Sequence, residues 1–194
     1  MTKNLADIKF DFDTLGLRFV KPMKRSKPGK MDYIWALEKY YLDKYTAEGT
    51  CTYGMRWMAD NMVESPQLAL SETQLKPGEF DQLVNSNRTF VEEKFDGCRC
   101  VIVYSPEDGW EFFSRSRSVT DYCYANYRGQ ILGFEGEEWR GFFNKPFVLD
   151  SELISVNPSI NGRIVTETIL QAVVSLLALE KNDSHEAQKE AGYP

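Results

Sequence analysis

Cysteines and histidines at the spacing of a metal site are lacking in this sequence. Among its 194 residues are four cysteines and one histidine, and no two cysteines form a Cys-x-x-Cys pair. Zinc sites and the disulfide frameworks of small secreted domains depend on such patterns. The sequence therefore predicts neither class of protein, and it predicts free, reduced thiols at Cys51, Cys98, Cys100 and Cys123.

Long apolar runs and an excess of positive charge are also missing. No stretch approaches the ~18 apolar residues of a membrane-spanning helix, and the beginning, "MTKNLADIKFDFDTLG", carries acids where a signal peptide would be apolar. With 29 acidic and 23 basic residues the net charge is −6, whereas a simple nucleic-acid binder is usually basic. A basic channel on an acidic body stays possible. We predict an intracellular, cytoplasmic protein with no membrane partner.

The first part of the chain predicts helices. Hydrophobic residues make up 42% of the sequence, enough for a globular core. Residues 1–30 are interpreted as irregular, with a basic loop in "KPMKRSKPGK" (21–30). Apolar residues then recur at helical spacing in "MDYIWALEKYYLDKY" (31–45) and "YGMRWMADNMVES" (53–65). Residues 1–65 are therefore predicted to form a small helical region.

Strand signals dominate the middle of the chain. After a connector with a turn at Pro77-Gly78, "RTFVEEKF" and "CRCVIVYS" bracket an Asp-Gly turn. "GWEFFSRS" (109–116) and "PFVLDSELISV" (146–156) follow, each preceded by turn residues. Residues 122–143 are interpreted as irregular or partly helical.

After Pro158 the apolar residues return to helical spacing, which predicts a helix with one apolar face. The polar residues Asn182–Ser184 are expected to break this helix, and a second short helix is expected to begin at Ser184. Helices, then hairpin-like strands, then helices favour an α+β domain over a parallel α/β domain.

The stretch "EEKFDGCR" places Lys94 close to Asp96, Gly97 and Arg99. A lysine on a half-buried strand is costly unless it is paired or used. It becomes a nucleophile when burial or neighbouring positive charge removes its proton near neutral pH. The Asp-Gly turn is expected to hold Lys94 and Arg99 near the mouth of one pocket.

Further charged residues fall on the other predicted strands. Arg115 lies in "FFSRSRS", and Asp150 and Glu152 lie two residues apart in "FVLDSELI", hence on one face of a strand. Cations together with hard oxygen ligands predict a pocket for a phosphate group and Mg²⁺. On a solvent-facing side of the sheet, the same residues would form ordinary surface salt bridges, and the residues alone leave both interpretations open.

Four short elements, in order, resemble the covalent nucleotidyltransferases, the family of ATP-dependent DNA ligases, RNA ligases and mRNA capping enzymes. "EEKFDGCR" resembles the family motif Lys-x-Asp-Gly-x-Arg, and "FSR" (113–115) resembles its next motif. "LDSELI" (149–154) resembles the Asp-Gly-Glu-Leu motif, with Ser151 in place of the usual glycine. "PQLA" (66–69) resembles a stretch that precedes the adenylation domain in many DNA ligases.

The resemblance implies a fold and a division of the chain. The fold would be the ATP-grasp-like nucleotidyltransferase fold, with antiparallel sheets and flanking helices. The adenylation domain would cover residues 66–194 and follow the helical region 1–65.

The resemblance also implies roles for five residues. Lys94 would attack the α-phosphate of ATP and carry AMP as a phosphoramide, and Glu92 would lie beside the adenine. Arg99 would hold ribose or phosphate groups and later the phosphate at a nick, Arg115 would hold ribose, and Glu152 would contact ribose or bind Mg²⁺. AMP would pass to the 5′-phosphate of nicked double-stranded DNA, and a 3′-hydroxyl would displace it. Lys94, Arg99, Arg115 and Glu152 are therefore expected to converge on one cleft.

Later motifs of this family are not found before "KEAGYP": an adenine-stacking aromatic, a metal-binding acid and a Lys-x-Lys motif. We therefore expect an incomplete adenylation domain whose C-terminal ligase portion is missing. Alone, it should seal no nicks and charge itself with AMP poorly or not at all. Two alternatives stay open. An RNA ligase or capping-type nucleotidyltransferase shares the Lys94 motif, and a non-catalytic remnant that binds nucleotide or nucleic acid would keep the fold without the chemistry.

Overall fold

The computed structural model describes residues 3–20, 27–61, 75–86, 97–134, 139–154 and 169–190. The chain forms two compact units, one made of Met1–Asn61 with Asp96–Pro194 and the other of Met62–Phe95. The first unit contains helices α1 (Leu5–Thr14), α2 (Lys30–Ala47), α3 (Tyr53–Asn61), α5 (Ile169–Leu177) and α6 (Lys181–Glu190), and strands β1 (Cys98–Ser105), β2 (Gly109–Arg117), β3 (Tyr124–Asn126) and β4 (Phe147–Leu153). In the second unit, the described residues form helix α4 (Glu79–Val84).

The strands of the first unit form a four-stranded antiparallel sheet in the order β3-β2-β1-β4. β1 and β2 form a hairpin, because Pro106 and the residues after it turn the chain and Gly109 adopts a φ of +73° that favours glycine. β4 returns on the far side of β1, with Tyr104 opposite Phe147 and Cys98 opposite Leu153. Helices beside an antiparallel sheet confirm the predicted α+β class.

The two faces of this sheet are covered differently. On one face, helix α3 lies against β2, and the Thr52 hydroxyl just before it donates to Glu111 Oε1 over 2.7 Å. On the other face, aromatic side chains pack on one another, and the Tyr104 ring stacks on Phe147 with centroids 5.2 Å apart. The Tyr104 hydroxyl also accepts a 2.7 Å hydrogen bond from the Phe143 backbone nitrogen, which fixes the segment before β4.

Helix α1 corrects the prediction that residues 1–30 are irregular. The Asn4 side chain caps its N-terminus by accepting a hydrogen bond from the Asp7 backbone nitrogen over 3.0 Å. Ile8 and Phe12, four residues apart, are buried in a core that also contains Leu37 of α2 and Tyr122. Ile8 and Phe12, one helical turn apart, thus pack α1 against α2.

Two further predictions are corrected in the second half of the chain. The segment 122–143, predicted to be irregular or partly helical, contains strand β3, whose pairing with β2 shifts in register between Phe113 and Arg117. The last two helices separate at residues 178–180 and not at 182–184, since Asn182–Ser184 lie in the first turn of α6. The Ser184 nitrogen donates to the Glu180 carbonyl over 2.9 Å at this start.

The other predicted elements agree with the described residues. Strand β1 matches "CRCVIVYS", and the two predicted N-terminal helices are α2 and α3. The Pro77-Gly78 turn is confirmed, with Gly78 at a φ of +78° directly before α4, a helix that was not predicted. The predicted strand 88–95 lies entirely outside the described residues, as do residues 62–65 of the second predicted helix. Within the described ranges, no helix is long and apolar enough to cross a membrane.

Candidate functional site

Strands β1 and β4 bring two of the predicted site residues directly opposite each other. Arg99 pairs with Glu152 in the antiparallel register, and Val101 pairs with Asp150. Because side chains alternate along a strand and directly opposed residues share a face, Arg99, Asp150 and Glu152 lie on one face of the sheet. The register therefore joins the arginine of "EEKFDGCR" to both acids of "LDSELI".

Arg99 forms a bidentate ion pair with Asp150. Its Nε and Nη2 donate to Oδ1 and Oδ2 of the carboxylate, each over 2.8 Å. These hydrogen bonds hold the pKa of Asp150 below its usual range, against a smaller opposing effect of burial. The pair fixes the plane of the guanidinium at the beginning of β1.

Glu152 makes a different contact. Its Oε1 accepts a hydrogen bond from the Gly97 backbone nitrogen over 3.2 Å, and the carboxylate is otherwise exposed. A Cβ at Gly97 would lie 2.4 Å from the Leu153 carbonyl oxygen and 2.9 Å from Glu152 Cγ. The approach of the chain to β4 at this point therefore requires glycine, which gives a steric reason for the Asp-Gly in the motif.

Arg115 lies on β2, the other neighbour of β1. Ser114 pairs with Cys100, so the next step in this register brings Arg115 across from Arg99 and onto the same face of the sheet. The Arg115 side chain is exposed, and it makes no ion pair with any residue that the structure describes. Three of the five predicted site residues, Arg99, Arg115 and Glu152, thus lie at one end of three adjacent strands.

The other two predicted site residues, Lys94 and Glu92, lie outside the described residues, and so does Asp96. The convergence of Lys94 with Arg99, Arg115 and Glu152 therefore stays a prediction.

The predicted Mg²⁺ site can be compared with the carboxylates at this end of the sheet. No cluster of three or more histidine, cysteine or acidic side chains that could hold a metal occurs within the described ranges. Asp150 is engaged by Arg99, which leaves the exposed Glu152 carboxylate. Mg²⁺ commonly binds one or two carboxylates together with the phosphates of a substrate and water. A single exposed carboxylate is compatible with that mode of binding, and a Mg²⁺ site at Glu152 stays a prediction.

Sequence reasoning missed the buried carboxylate of Glu111, a residue that is 1% exposed. It accepts hydrogen bonds from the Thr52 hydroxyl, the Gly54 backbone nitrogen and the Asn126 amide. Burial raises its pKa to about 7, and the hydrogen bonds from Thr52 and Gly54 partly oppose that rise. The only signal in the sequence is a single acid between the aromatics of "GWEFF". Glu111 ties the start of α3 to β2 and β3.

Comparison with known proteins found no matching family model, no matching curated protein and no matching solved structure.

Proposed function

We propose that this chain is the nucleotide-binding part of an ATP-dependent DNA ligase, with Lys94 as the residue that accepts AMP. The observation that supports this most directly is the register of β1 and β4, which sets Arg99 opposite Glu152. The two residues come from two separate family-like motifs, and their meeting on one face of the sheet is what a shared nucleotide site requires. Arg115 on the neighbouring strand adds a second cation at the same end.

The proposed chemistry begins with a phosphoryl-type transfer. The unprotonated Nζ of Lys94 attacks the α-phosphorus of ATP and a P–N bond forms. The bond from the α-phosphorus to the bridging oxygen of the leaving pyrophosphate breaks, and the nitrogen releases one proton to solvent. Such reactions depend on positioning and on cations that neutralise the transferring group. Arg99 and Arg115 would supply fixed positive charge, and Glu152 would hold Mg²⁺ or ribose. Mg²⁺, when bound, neutralises charge on the phosphates.

The second half of the proposed reaction joins nucleic-acid ends. The AMP group moves from Lys94 to the 5′-phosphate at a nick, and the 3′-hydroxyl across the nick then attacks that phosphate and releases AMP. "PQLA" at residues 66–69 supports DNA as the substrate. An RNA ligase or a capping-type enzyme would share the first step and differ in the nucleotide or in the acceptor.

The experiment is covalent labelling. The chain is incubated for hours at high concentration with Mg²⁺ and α-labelled ATP or GTP, then denatured and separated on a gel. We expect only weak ATP-derived label, because an incomplete adenylation domain should charge itself with AMP poorly. That label should be absent in Lys94→Arg, a variant that keeps the positive charge and loses the nucleophile at neutral pH. Pyrophosphate should remove the label, because it reverses the reaction.

The other outcomes of this experiment either favour a different function or contradict the proposal. Label from GTP and not from ATP favours a capping-type enzyme, and transfer to nicked RNA in preference to nicked DNA favours an RNA ligase. ATP binding in equilibrium dialysis without covalent label favours the non-catalytic binding protein. Label that persists in Lys94→Arg, or neither label nor binding, contradicts the proposal.

A further inference from the structure

Arg99 is bound by Asp150 and not by Glu152, the residue directly across from it. The guanidinium donates two hydrogen bonds, each 2.8 Å long, to the two oxygens of the Asp150 carboxylate. Arginine binds phosphate groups through the same two-pronged arrangement. The Asp150 carboxylate therefore occupies the position at Arg99 that two oxygens of a phosphate group would take.

The surroundings of this ion pair make it exchangeable. The Asp150 side chain is 62% exposed and that of Arg99 is 24% exposed. Ion pairs with a well-solvated partner are weak, because the carboxylate is nearly as well stabilised by water. An incoming phosphate dianion carries more charge than one carboxylate, so it can compete for the guanidinium even though the carboxylate is tethered beside it.

Two further observations show that the ion pair with Asp150 leaves donors and positive charge unused at this end of the sheet. Its Nη1 is shielded from solvent and has no hydrogen-bond partner in the described part of the chain, and a buried donor without a partner is costly. Arg115, on the same face of the sheet, forms no ion pair with the described residues. A phosphate group has more acceptor oxygens than a carboxylate and can serve both cations.

We propose that Asp150 is a displaceable internal anion. Its carboxylate orients the Arg99 guanidinium in the free protein and leaves it when a phosphate group, of a nucleotide or of a nucleic-acid end, binds there. Asp150 is thus a positioning residue that lowers the affinity of the site for phosphate while keeping Arg99 in its binding orientation. This inference rests on the proposed function, since it concerns the phosphate-binding arginine of the same site.

The test is a double-mutant cycle with inorganic pyrophosphate as the probe. Binding is measured by calorimetry at low salt without metal, for the full chain and for Asp150→Asn, Arg99→Gln and the double variant. Removal of the competing carboxylate should tighten binding about 2- to 5-fold, the range expected for loss of an exposed ion pair. In the Arg99→Gln background this gain should vanish. Equal tightening in both backgrounds would show only a long-range charge effect and overturns the proposal, as does no tightening or no binding.

If a variant does not fold, a measurement on the unmodified protein tests whether pyrophosphate displaces Asp150 from Arg99. The Arg99 Nε–H resonance of protein labelled with ¹³C and ¹⁵N, assigned through its bonds to the Arg99 backbone, should shift as pyrophosphate saturates the site. An unchanged resonance at saturation overturns the proposal. Repeating the titration with ATP and with nicked duplexes that carry a 5′-phosphate or a 5′-hydroxyl distinguishes a nucleotide from a nucleic-acid end as the source of the phosphate.

The two proposals fail separately. Exchange at Arg99 without label on Lys94 contradicts the ligase function and leaves the displaceable anion intact. Label on Lys94 with no change at Arg99 contradicts the displaceable anion and leaves the ligase function intact.

Discussion

The Glu111 carboxylate on β2 accepts a hydrogen bond at Oε2 from the backbone nitrogen of Gly54, near the beginning of α3, over 3.0 Å. The Thr52 hydroxyl donates to the other oxygen, and both donors precede or begin the helix. The first N–H groups of a helix have no partner inside the helix, and a negative charge is favourable there. A side chain from the sheet thus caps α3 and fixes its position on the sheet.

Replacing Gly54 by alanine should destabilise the protein by about 1–3 kcal/mol, the usual range for overpacking. The new Cβ would lie 2.3 Å from Glu111 Oε2 and 2.7 Å from the ring of the fully buried Phe113. Alanine favours a helix over glycine by up to about 1 kcal/mol, so a net loss of stability has to come from this collision. Urea unfolding followed by tryptophan fluorescence measures it.

Gly129→Ala is the matched control, because nothing lies within 4 Å of a Cβ built at Gly129. Its free energy of unfolding should change by less than about 0.5 kcal/mol, as is usual for surface positions. If Gly54→Ala is as stable as this control, α3 does not pack on Glu111 as described.

Glu111 should make the protein less stable as the pH rises from about 4.5 to about 7. Its pKa is raised by burial from 4.5 to about 7 in the folded protein, so the folded state binds the proton more tightly than the unfolded state. The stabilisation from this proton is fully present below about pH 4.5 and is lost as the pH rises through about 7. A shift of this size corresponds to about 3 kcal/mol.

Glu111→Gln provides the comparison, since glutamine does not titrate and other ionisable groups contribute equally to both proteins. The free energy of unfolding of the unmodified protein minus that of Glu111→Gln should fall by about 3 kcal/mol as the pH rises from 4.5 to 7.5. A difference that is constant with pH would show that Glu111 does not exchange its proton on unfolding.

Periodicity in the sequence predicted several elements well, because the same alternation or helical spacing that buries a side chain is visible in the residues. β1 and the core of α2 are examples. Helix α1 was missed because only Ile8 and Phe12 mark its buried face. The helix break at residues 178–180 was placed too late because the polar residues 182–184, which resemble a stop, serve instead in the first turn of α6.

Strand register is the part of the site that the sequence could not predict. The motifs identified Arg99, Asp150 and Glu152 as charged residues on strands, but nothing in either segment specifies that Arg99 lies across from Glu152 and binds Asp150. Register depends on packing across the whole sheet, including the turn before β2 and the aromatic cluster before β4. A shift by one residue would have put both acids on the opposite face.

A second buried carboxylate gives a prediction about ion pairing. Arg117 Nη2 lies 3.1 Å from Glu38 Oε2, with side-chain exposures of 13% and 5%. Arg117 Nη1 also donates to the Tyr124 hydroxyl over 2.9 Å. Glu38→Ala should destabilise the protein by about 3–5 kcal/mol, because it leaves the guanidinium buried without its counter-charge. Urea unfolding measures the loss.

Two comparisons test this explanation. Asp43→Ala removes the exposed pair with Lys39 on the same helix, and it should change stability by no more than about 0.5 kcal/mol. Replacing both buried partners, with Glu38→Leu and Arg117→Met, should restore part of the stability lost in Glu38→Ala. A double variant less stable than Glu38→Ala would mean that the loss arises from packing and not from the unpaired charge.

Gly97→Ala should impair the proposed site more than it impairs the fold. The added Cβ would lie 2.4 Å from the Leu153 carbonyl oxygen, a backbone atom that cannot move away without disturbing the pairing of β1 with β4. The hydrogen bond from Gly97 to Glu152 would lengthen, and Glu152 would shift relative to Arg99. Displacements near 1 Å in a catalytic site typically reduce rates by up to about 10²-fold, so the rate of Lys94-dependent labelling should fall by about 10- to 100-fold.

The free energy of unfolding should fall by only about 1–3 kcal/mol, and circular dichroism should show the same secondary structure. Gly129→Ala should leave both quantities unchanged. If Gly97→Ala is labelled at the rate of the unmodified chain, the contact between Gly97 and Glu152 does not position the reacting groups. If the loss of labelling is matched by a loss of folded protein, the role of Gly97 is structural alone.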